Sequence, residues 1–336
     1  MPRGSSSQSS RRFRPARLLI VLVLAVVLLL VRQALFPAGR PAAGASGKST
    51  APPSAAKIQV SVQSPLSQAV SGDAATVLGQ TIWVAGGLTA QGLSSNSLVP
   101  YQIGTGPGNS VALPERVHDA AAASLGGQIF LFGGGRFTSS ARAMAFTPPG
   151  QFTTLLNLPT PLSDLWAGVL GGQLVLGGGH NTGAPNSTIW SYHRVTNSYQ
   201  VIGALPVATR YAATAVLSQH LYVIGGETAR GASPDIISVG ASGSTKVVAE
   251  LPVSVWKAAA GVLQGQIYIF GGKVSGALTS TIYRFDPATG QVTAVGHLPA
   301  PWAYGAAVST VSGIYLLGGE GSGGTLATVY RVTLVR

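Results

Sequence analysis

Short apolar runs that end in paired glycines recur along most of the chain. Gln266, Ile267, Tyr268, Ile269 and Phe270, followed by Gly271 and Gly272, show the pattern most clearly. Such a run, rich in β-branched and aromatic residues, reads as a buried strand stopped by a turn that tolerates positive φ. Counterparts start at Gln80, Gln128, Gln173, His220 and Gly313, and the first glycines of the pairs fall at Gly86, Gly133, Gly178, Gly225, Gly271 and Gly318, spaced by 47, 45, 47, 46 and 47 residues. Upstream of each pair stands a Leu-Pro or its equivalent, at Leu66, Leu113, Leu158, Leu205, Leu251 and Leu298. Between the two lies a strand of small residues, as in residues 120–123 and 258–262. Downstream come a third strand, clearest at residues 280–286, a turn at Pro287 to Gly290, and a fourth strand at 291–295. Four short antiparallel strands in a repeat of this length predict a propeller blade, because such a sheet buries its faces only against its neighbours.

The six glycine pairs predict six blades. After Gly319 the chain supplies only one more strand, at 326–333, while residues 57–63 align with the fourth strands near Lys246 and Gln291. The N-terminal strand 58–63 is therefore expected to complete the last blade and to remove an open sheet edge.

Ahead of the repeats the pattern changes. Arg11, Arg12, Arg14 and Arg17 precede an uncharged apolar run, Leu18 through Val31, which Ala34, Leu35 and Phe36 extend. A basic flank before such a run is the pattern of an export signal or a membrane anchor with its N-terminus in the cytoplasm. The small-residue triplet at Ala43, Gly44 and Ala45 lies too far downstream for a good cleavage site, so an uncleaved anchor is the favoured reading and secretion after signal cleavage the alternative. Four segments follow: a basic cytoplasmic N-terminus (1–17), a transmembrane or signal segment (18–36), a flexible linker rich in Pro and Gly (37–57) and the repeat domain (58–336).

The repeats resemble kelch repeats. The features that carry this are the Gly-Gly after the second strand, the third-strand ending Tyr283, Arg284, Phe285, Asp286 and Pro287, and the Leu-Pro opening of the next unit. The resemblance covers 58–336 and implies an all-β fold: a six-bladed kelch-type β-propeller with four antiparallel strands per blade, preceded by one N-terminal transmembrane or signal helix. The tryptophan often found on a kelch fourth strand is missing, with Phe152, Val201 and Val292 nearby instead, which predicts lighter packing between blades.

Composition narrows the chemistry. Across 336 residues there are 45 glycines, about twice the usual share of roughly 7%, and no cysteine. Disulfides, thiolate catalysis and cysteine metal sites are excluded, as is the tyrosine–cysteine cofactor of kelch-type copper oxidases. The net charge of +12 is concentrated in the leader: nine of the 21 basic residues precede residue 58, and from there on 12 basic residues face 9 acidic ones. With that balance and no basic, aromatic-interleaved surface, no nucleic-acid partner is expected.

In a blade of this type the inner strand begins and the second strand ends on one face, so the residues just before the small-residue strand and just after the glycine pair ring one mouth of the channel. Those positions collect His118, Asp119, Asp164, His180, Arg210, Tyr211, Glu227, Trp256, Lys257, Lys273, Tyr304 and Glu320, with Trp302 among the aromatics. A polar and aromatic concavity of this kind is the default candidate ligand site. His118, Asp119 and His180 come from different blades without short-range ligand spacing, so no metal and no cofactor are expected.

The leading functional expectation is a non-enzymatic binding or scaffold propeller, tethered at the membrane or exported, that recognises a protein or carbohydrate through its loop face. The alternative, implied by resemblance to the exported bacterial kelch sugar epimerases that act on sialic acid, is an epimerase or mutarotase-like enzyme in which Arg210, Glu227, Lys257 and Glu320 are the acid/base and carboxylate-binding candidates.

Overall fold

The computed structural model describes residues 57–335. The basic segment 1–17, the apolar segment 18–36 and the linker up to residue 56 lie outside the described residues. Among the described residues no helix is long and apolar enough to cross a membrane, and every regular element is a β-strand.

The repeat pattern reappears as sheets. Ala213–Leu217, His220–Ile224, Asp235–Gly240 and Thr245–Glu250 pair antiparallel in that order, and Ala259–Leu263, Gln266–Phe270, Thr281–Asp286 and Gln291–His297 do the same. Ser163–Leu170, Gln173–Asn181, Thr188–His193 and Ser198–Ala204 form another such sheet. In the last sheet Ala306–Thr310, Gly313–Leu317 and Val329–Val335 come from the C-terminal end of the chain, and Lys57–Gln63 adds the outer strand. Its register runs from Lys57 opposite Val335 to Gln63 opposite Val329, which joins the two ends of the domain by a continuous antiparallel ladder.

One element departs from the sequence pattern. Val111–Leu125 is a single long strand that pairs first with Ser95–Gln102 and then with Gln128–Gly135, fusing two groups of strands into an eight-stranded sheet. Pro114, in the Leu-Pro that opens a unit, lies inside it. The register against Ser95–Gln102 shifts between Val117 and Ala112, so the missing N–H of Pro114 falls in an irregular stretch where no ladder bond is required.

The inner strands surround a common axis. Ala74–Leu78 neighbours Val111–Leu125, which neighbours Ser163–Leu170; Ala213–Leu217, Ala259–Leu263 and Ala306–Thr310 continue the series, and the last of these returns to Ala74–Leu78. Alanines such as Ala121, Ala213 and Ala259 on these strands are buried against apolar side chains of neighbouring sheets, where the inner strands come close together.

The second strands are buried on both faces, which explains their uninterrupted apolar character. Phe130 and Phe132 lie against Tyr192 of the next sheet, with ring centroids 6.3 and 5.7 Å apart. Tyr222 meets Phe285 edge-on at 5.7 Å across another seam. Lighter packing between blades is therefore not found: aromatics on second and third strands fill the seams in place of a fourth-strand tryptophan. Trp302, expected at the mouth, is in fact 1% exposed and belongs to the core, where its indole N–H donates to the Gly318 carbonyl at 2.8 Å. Burying such rings stabilises the fold by roughly 1.5–3 kcal/mol each.

The glycine pairs mark where the chain leaves each second strand. Gly271 has φ of +56°, and a Cβ there would run into the Trp302 carbonyl oxygen. Both the left-handed backbone and the close approach exclude a side chain. Beyond the pairs the chain makes short hairpins, such as Lys273–Val274 with Ala277–Leu278 and Glu320–Gly321 with Gly324–Thr325.

Candidate functional site

The residues just before the inner strands share one backbone state. Gly72, Asp119, Asp164, Tyr211, Lys257 and Tyr304 all have φ between +52° and +60°. For five of them that is a left-handed conformation carrying a Cβ, which is uncommon and costs of order 1–3 kcal/mol each unless the surroundings over-determine it. What holds them is a set of five amide bonds that link neighbouring members about the axis. The N–H of Asp119 donates to the carbonyl of Gly72 (2.8 Å), Tyr211 to Asp164 (3.3 Å), Lys257 to Tyr211 (3.0 Å), Tyr304 to Lys257 (2.8 Å) and Gly72 to Tyr304 (2.7 Å). This ring sets the side chains of Asp119, Asp164, Tyr211, Lys257 and Tyr304 around an axial cavity of about 110 Å³.

The residue preceding each ring member pairs with the residue that follows a glycine pair: Ser71 with Leu88, His118 with Gly135, Ser163 with His180, Arg210 with Glu227, Trp256 with Lys273, and Ala303 with Glu320. Two of these outer positions make strong ion pairs. Both Nε and a terminal nitrogen of Arg210 lie 2.8 Å from Glu227 Oε2, and Lys273 Nζ is 2.8 Å from Glu320 Oε2. Glu227, Lys273 and Glu320 are thus committed to neighbours rather than free for proton transfer.

The inner ring holds a different kind of chemistry. Asp119 and Asp164 are buried. Tyr304 donates its hydroxyl proton to Asp119 Oδ2 at 2.6 Å, and His118 Nε2 stands 3.8 Å from the same oxygen while Nδ1 contacts Ser94 Oγ at 2.8 Å. Burial, and then the adjacent Asp119 carboxylate, push Asp164 up to about 8. Asp119 is raised too, chiefly by burial, although hydrogen bonding from Asp164 and Tyr304 holds it down. Two adjacent buried carboxyls resist ionising together, so the pair holds a proton to higher pH than an isolated carboxyl would. The buried Asp164 Oδ1, which has no donor as a carboxylate, is consistent with a protonated group. Burial lowers His118 and raises the Tyr211 and Tyr304 phenols, so these three remain neutral near pH 7.

Lys257 lies among aromatic faces, its Nζ 3.3 Å from the Tyr304 ring centroid, 4.7 Å from Tyr211 and 5.3 Å from Trp256. Tyr211 in turn meets Tyr304 edge-on at 5.6 Å and Trp256 at 5.7 Å.

Beside the axis, a wider cavity of about 300 Å³ opens over His118, Asp119, Ser163, Asp164, His180, Arg210 and Tyr211. Its outer wall is the loop Arg136 to Ser139, where Phe137 is 88% exposed beneath the Arg136 guanidinium at 4.8 Å. Of the twelve residues singled out from sequence, His118, Asp119, Asp164, His180, Arg210 and Tyr211 line this cavity, Lys257 and Tyr304 line the axial one, and Trp256, Glu227, Lys273 and Glu320 stand next to them.

Sequence reasoning missed Asp73 and the loop bearing Phe137. Asp73 lines the axial cavity with both carboxylate oxygens buried and unpartnered, and burial pushes it up to about 8. A signal was available: in the column of residues following the ring, Asp73 stands alone among Ala120, Leu165, Ala212, Ala258 and Gly305. The Phe137 loop carries no repeat signature and belongs to one unit only.

Comparisons with known proteins agree with this geometry. The Kelch motif family model matches residues 258–299, the unit that contains Lys257's inner strand and the Gly271 pair. The solved structure of YjhT superposes with a TM-score of 0.71 over 81% of this chain and 99% of that one, at 16% sequence identity. Residues 258–299 thus carry a kelch motif. At that identity the likeness to YjhT speaks for the kelch propeller fold alone. No curated protein sequence matches the chain significantly.

Proposed function

We propose that this kelch chain is a six-bladed binding module whose mouth takes the end of a glycan or another small polar ligand. The observation that carries the reading is the convergence of His118, Asp164, His180, Arg210 and Tyr211 on one cavity of about 300 Å³ beside an exposed aromatic, Phe137. A concavity of this size with a few oriented polar groups and an aromatic face fits a sugar ring, which presents hydroxyls at its rim and C–H bonds on its faces. In this reading Arg210, held by Glu227, and Asp119, held by Tyr304, are pre-oriented and lose little freedom on binding. The module works outside the membrane, tethered by residues 18–36 or released after their removal, with the arginines before Leu18 on the cytoplasmic side.

A thermal-shift screen of the full chain against mono- and oligosaccharides tests the ligand, and protease accessibility in intact cells tests the orientation. A sugar that raises the melting temperature of wild type but not of Arg210→Ala supports the site. No stabilising glycan, together with a protein recovered by envelope crosslinking, favours a protein ligand on the same loop face.

One observation favours the second reading, a sugar epimerase or mutarotase-like enzyme. Asp164, raised to about 8, lines the cavity beside Asp119, and a coupled carboxyl pair can serve as the acid and base that ring opening and closure need. Anomer exchange followed by NMR on any sugar that binds decides between the two.

A further inference from the structure

We propose that Lys257 is an amine nucleophile that captures small aldehydes or ketones as an imine in the axial cavity. The inference rests on the reading of the mouth as a site for a small polar ligand and adds a covalent chemistry to it.

Four observations carry it. Lys257 forms no ion pair among the described residues: Glu320 is held by Lys273 at 2.8 Å, and Asp119 accepts the Tyr304 hydroxyl at 2.6 Å. Its Nζ instead sits among the faces of Tyr304, Tyr211 and Trp256, which cannot accept its protons as a carboxylate would. The side chain is only partly covered and walls the axial cavity together with Asp164, so amine and carboxylic acid face the same small space. Finally, the ring position does not itself call for a lysine. Gly72 fills the equivalent place without strain, whereas Lys257 is held at φ of +54°.

Burial works toward the reactive form, against the aromatic faces, which favour the ammonium. Burial lowers the Lys257 amine below its ordinary value and nearby Lys273 lowers it further, with Glu320, Asp119 and Asp164 acting in the opposite sense. A larger neutral fraction near pH 7 is what a nucleophilic lysine needs. In the step itself the Nζ lone pair adds to the carbonyl carbon, and the added nitrogen passes one of its protons to the carbonyl oxygen to give a carbinolamine. The C–O bond then breaks as Asp164 supplies a second proton, water leaves, and nitrogen gives up its proton to the resulting carboxylate. Amine and carbonyl become imine and water with no net oxidation.

Glyceraldehyde, small enough for the axial cavity, is the probe. The chain is incubated with it and cyanoborohydride at neutral pH, and reduced adducts are mapped by peptide mass spectrometry. Lys257 is expected to label at least ten-fold faster than the exposed Lys246, Lys257→Arg to lose that adduct alone, and Asp164→Asn to slow Lys257 without slowing Lys246. In chain unfolded by guanidinium the preference for Lys257 should vanish; a preference that persists there, or equal labelling in the folded chain, overturns the proposal. Unchanged Lys257 labelling in Asp164→Asn overturns the role of the acid. A glycan that stabilises the folded chain while Lys257 labels no faster than Lys246 removes the amine chemistry and leaves the ligand site standing. Indiscriminate labelling with no stabilising ligand removes both.

Discussion

Replacing Asp73 with Asn should stabilise this protein, and by more as the pH rises. Both carboxylate oxygens are buried without a hydrogen-bond partner; the amides of Asp73 and Ala306 favour the ionised form without meeting hydrogen-bond geometry. Burial dominates and pushes the folded-state value up to about 8, far above the unfolded 3.9 or so. An acid shifted upward binds more protons folded than unfolded between those values. Its favourable contribution is complete below about pH 4 and is lost as pH climbs toward about 8. At about 1.36 kcal/mol per unit, the loss is roughly 1.5 kcal/mol at pH 5, about 4 at pH 7 and about 5 at pH 8.

Asn has no such titration, and its own cost, an unpaired buried amide worth about 1–3 kcal/mol, is the same at every pH. The stability of Asp73→Asn relative to wild type should therefore rise by roughly 3–4 kcal/mol between pH 5 and pH 8. Asp119 and Asp164 shift in the same direction, so both proteins weaken with pH and only the difference isolates Asp73. Urea unfolding followed by tryptophan fluorescence at the two pH values measures it. Parallel pH dependences would refute the reasoning and mean that Asp73 is ionised and satisfied in the folded protein.

Three further outcomes follow from the same structure. Gly271→Ala should cost about 2–5 kcal/mol in thermal or urea unfolding, from left-handed strain and a Cβ driven into the Trp302 carbonyl; a neutral result would mean that the turn can move. Tyr304→Phe removes the 2.6 Å bond to Asp119 and should destabilise by about 1.5–3 kcal/mol, with a larger loss at pH 8 than at pH 5, since the bond favours the charged carboxylate. Replacing Ile58 and Val60 with Asp should lower the melting temperature by several degrees, because both pack on the core beneath Val329–Val335; an unchanged melt would show that the N-terminal strand is dispensable.

The repeat period and the buried second strands were legible before any coordinates, because a unit that buries its faces only against copies of itself must repeat its apolar pattern in register. The glycine pairs at Gly271 and its counterparts belong to the same class, since only glycine fits a left-handed backbone pressed against a carbonyl. So does the membership of the mouth: equivalent positions in a repeat converge on one axis, and counting residues was enough to gather Asp119, Asp164, Tyr211, Lys257 and Tyr304. What those groups do to one another was not legible. The coupling of Asp119 with Asp164, the commitment of Glu320 to Lys273 and the packing of Lys257 against Tyr211 and Tyr304 depend on distances between sheets whose sequences are some 45 residues apart, and the commitment of Glu227 to Arg210 depends on two segments 17 residues apart meeting at the mouth. Trp302 shows the limit from the other side: two residues before Tyr304 it reads as part of the mouth, yet one indole N–H and one carbonyl turn it into the core. Sequence position assigns a residue to a rim, whereas burial and the nearest charge decide whether it is a strut, an acid or an amine, and both are properties of the closed tertiary structure.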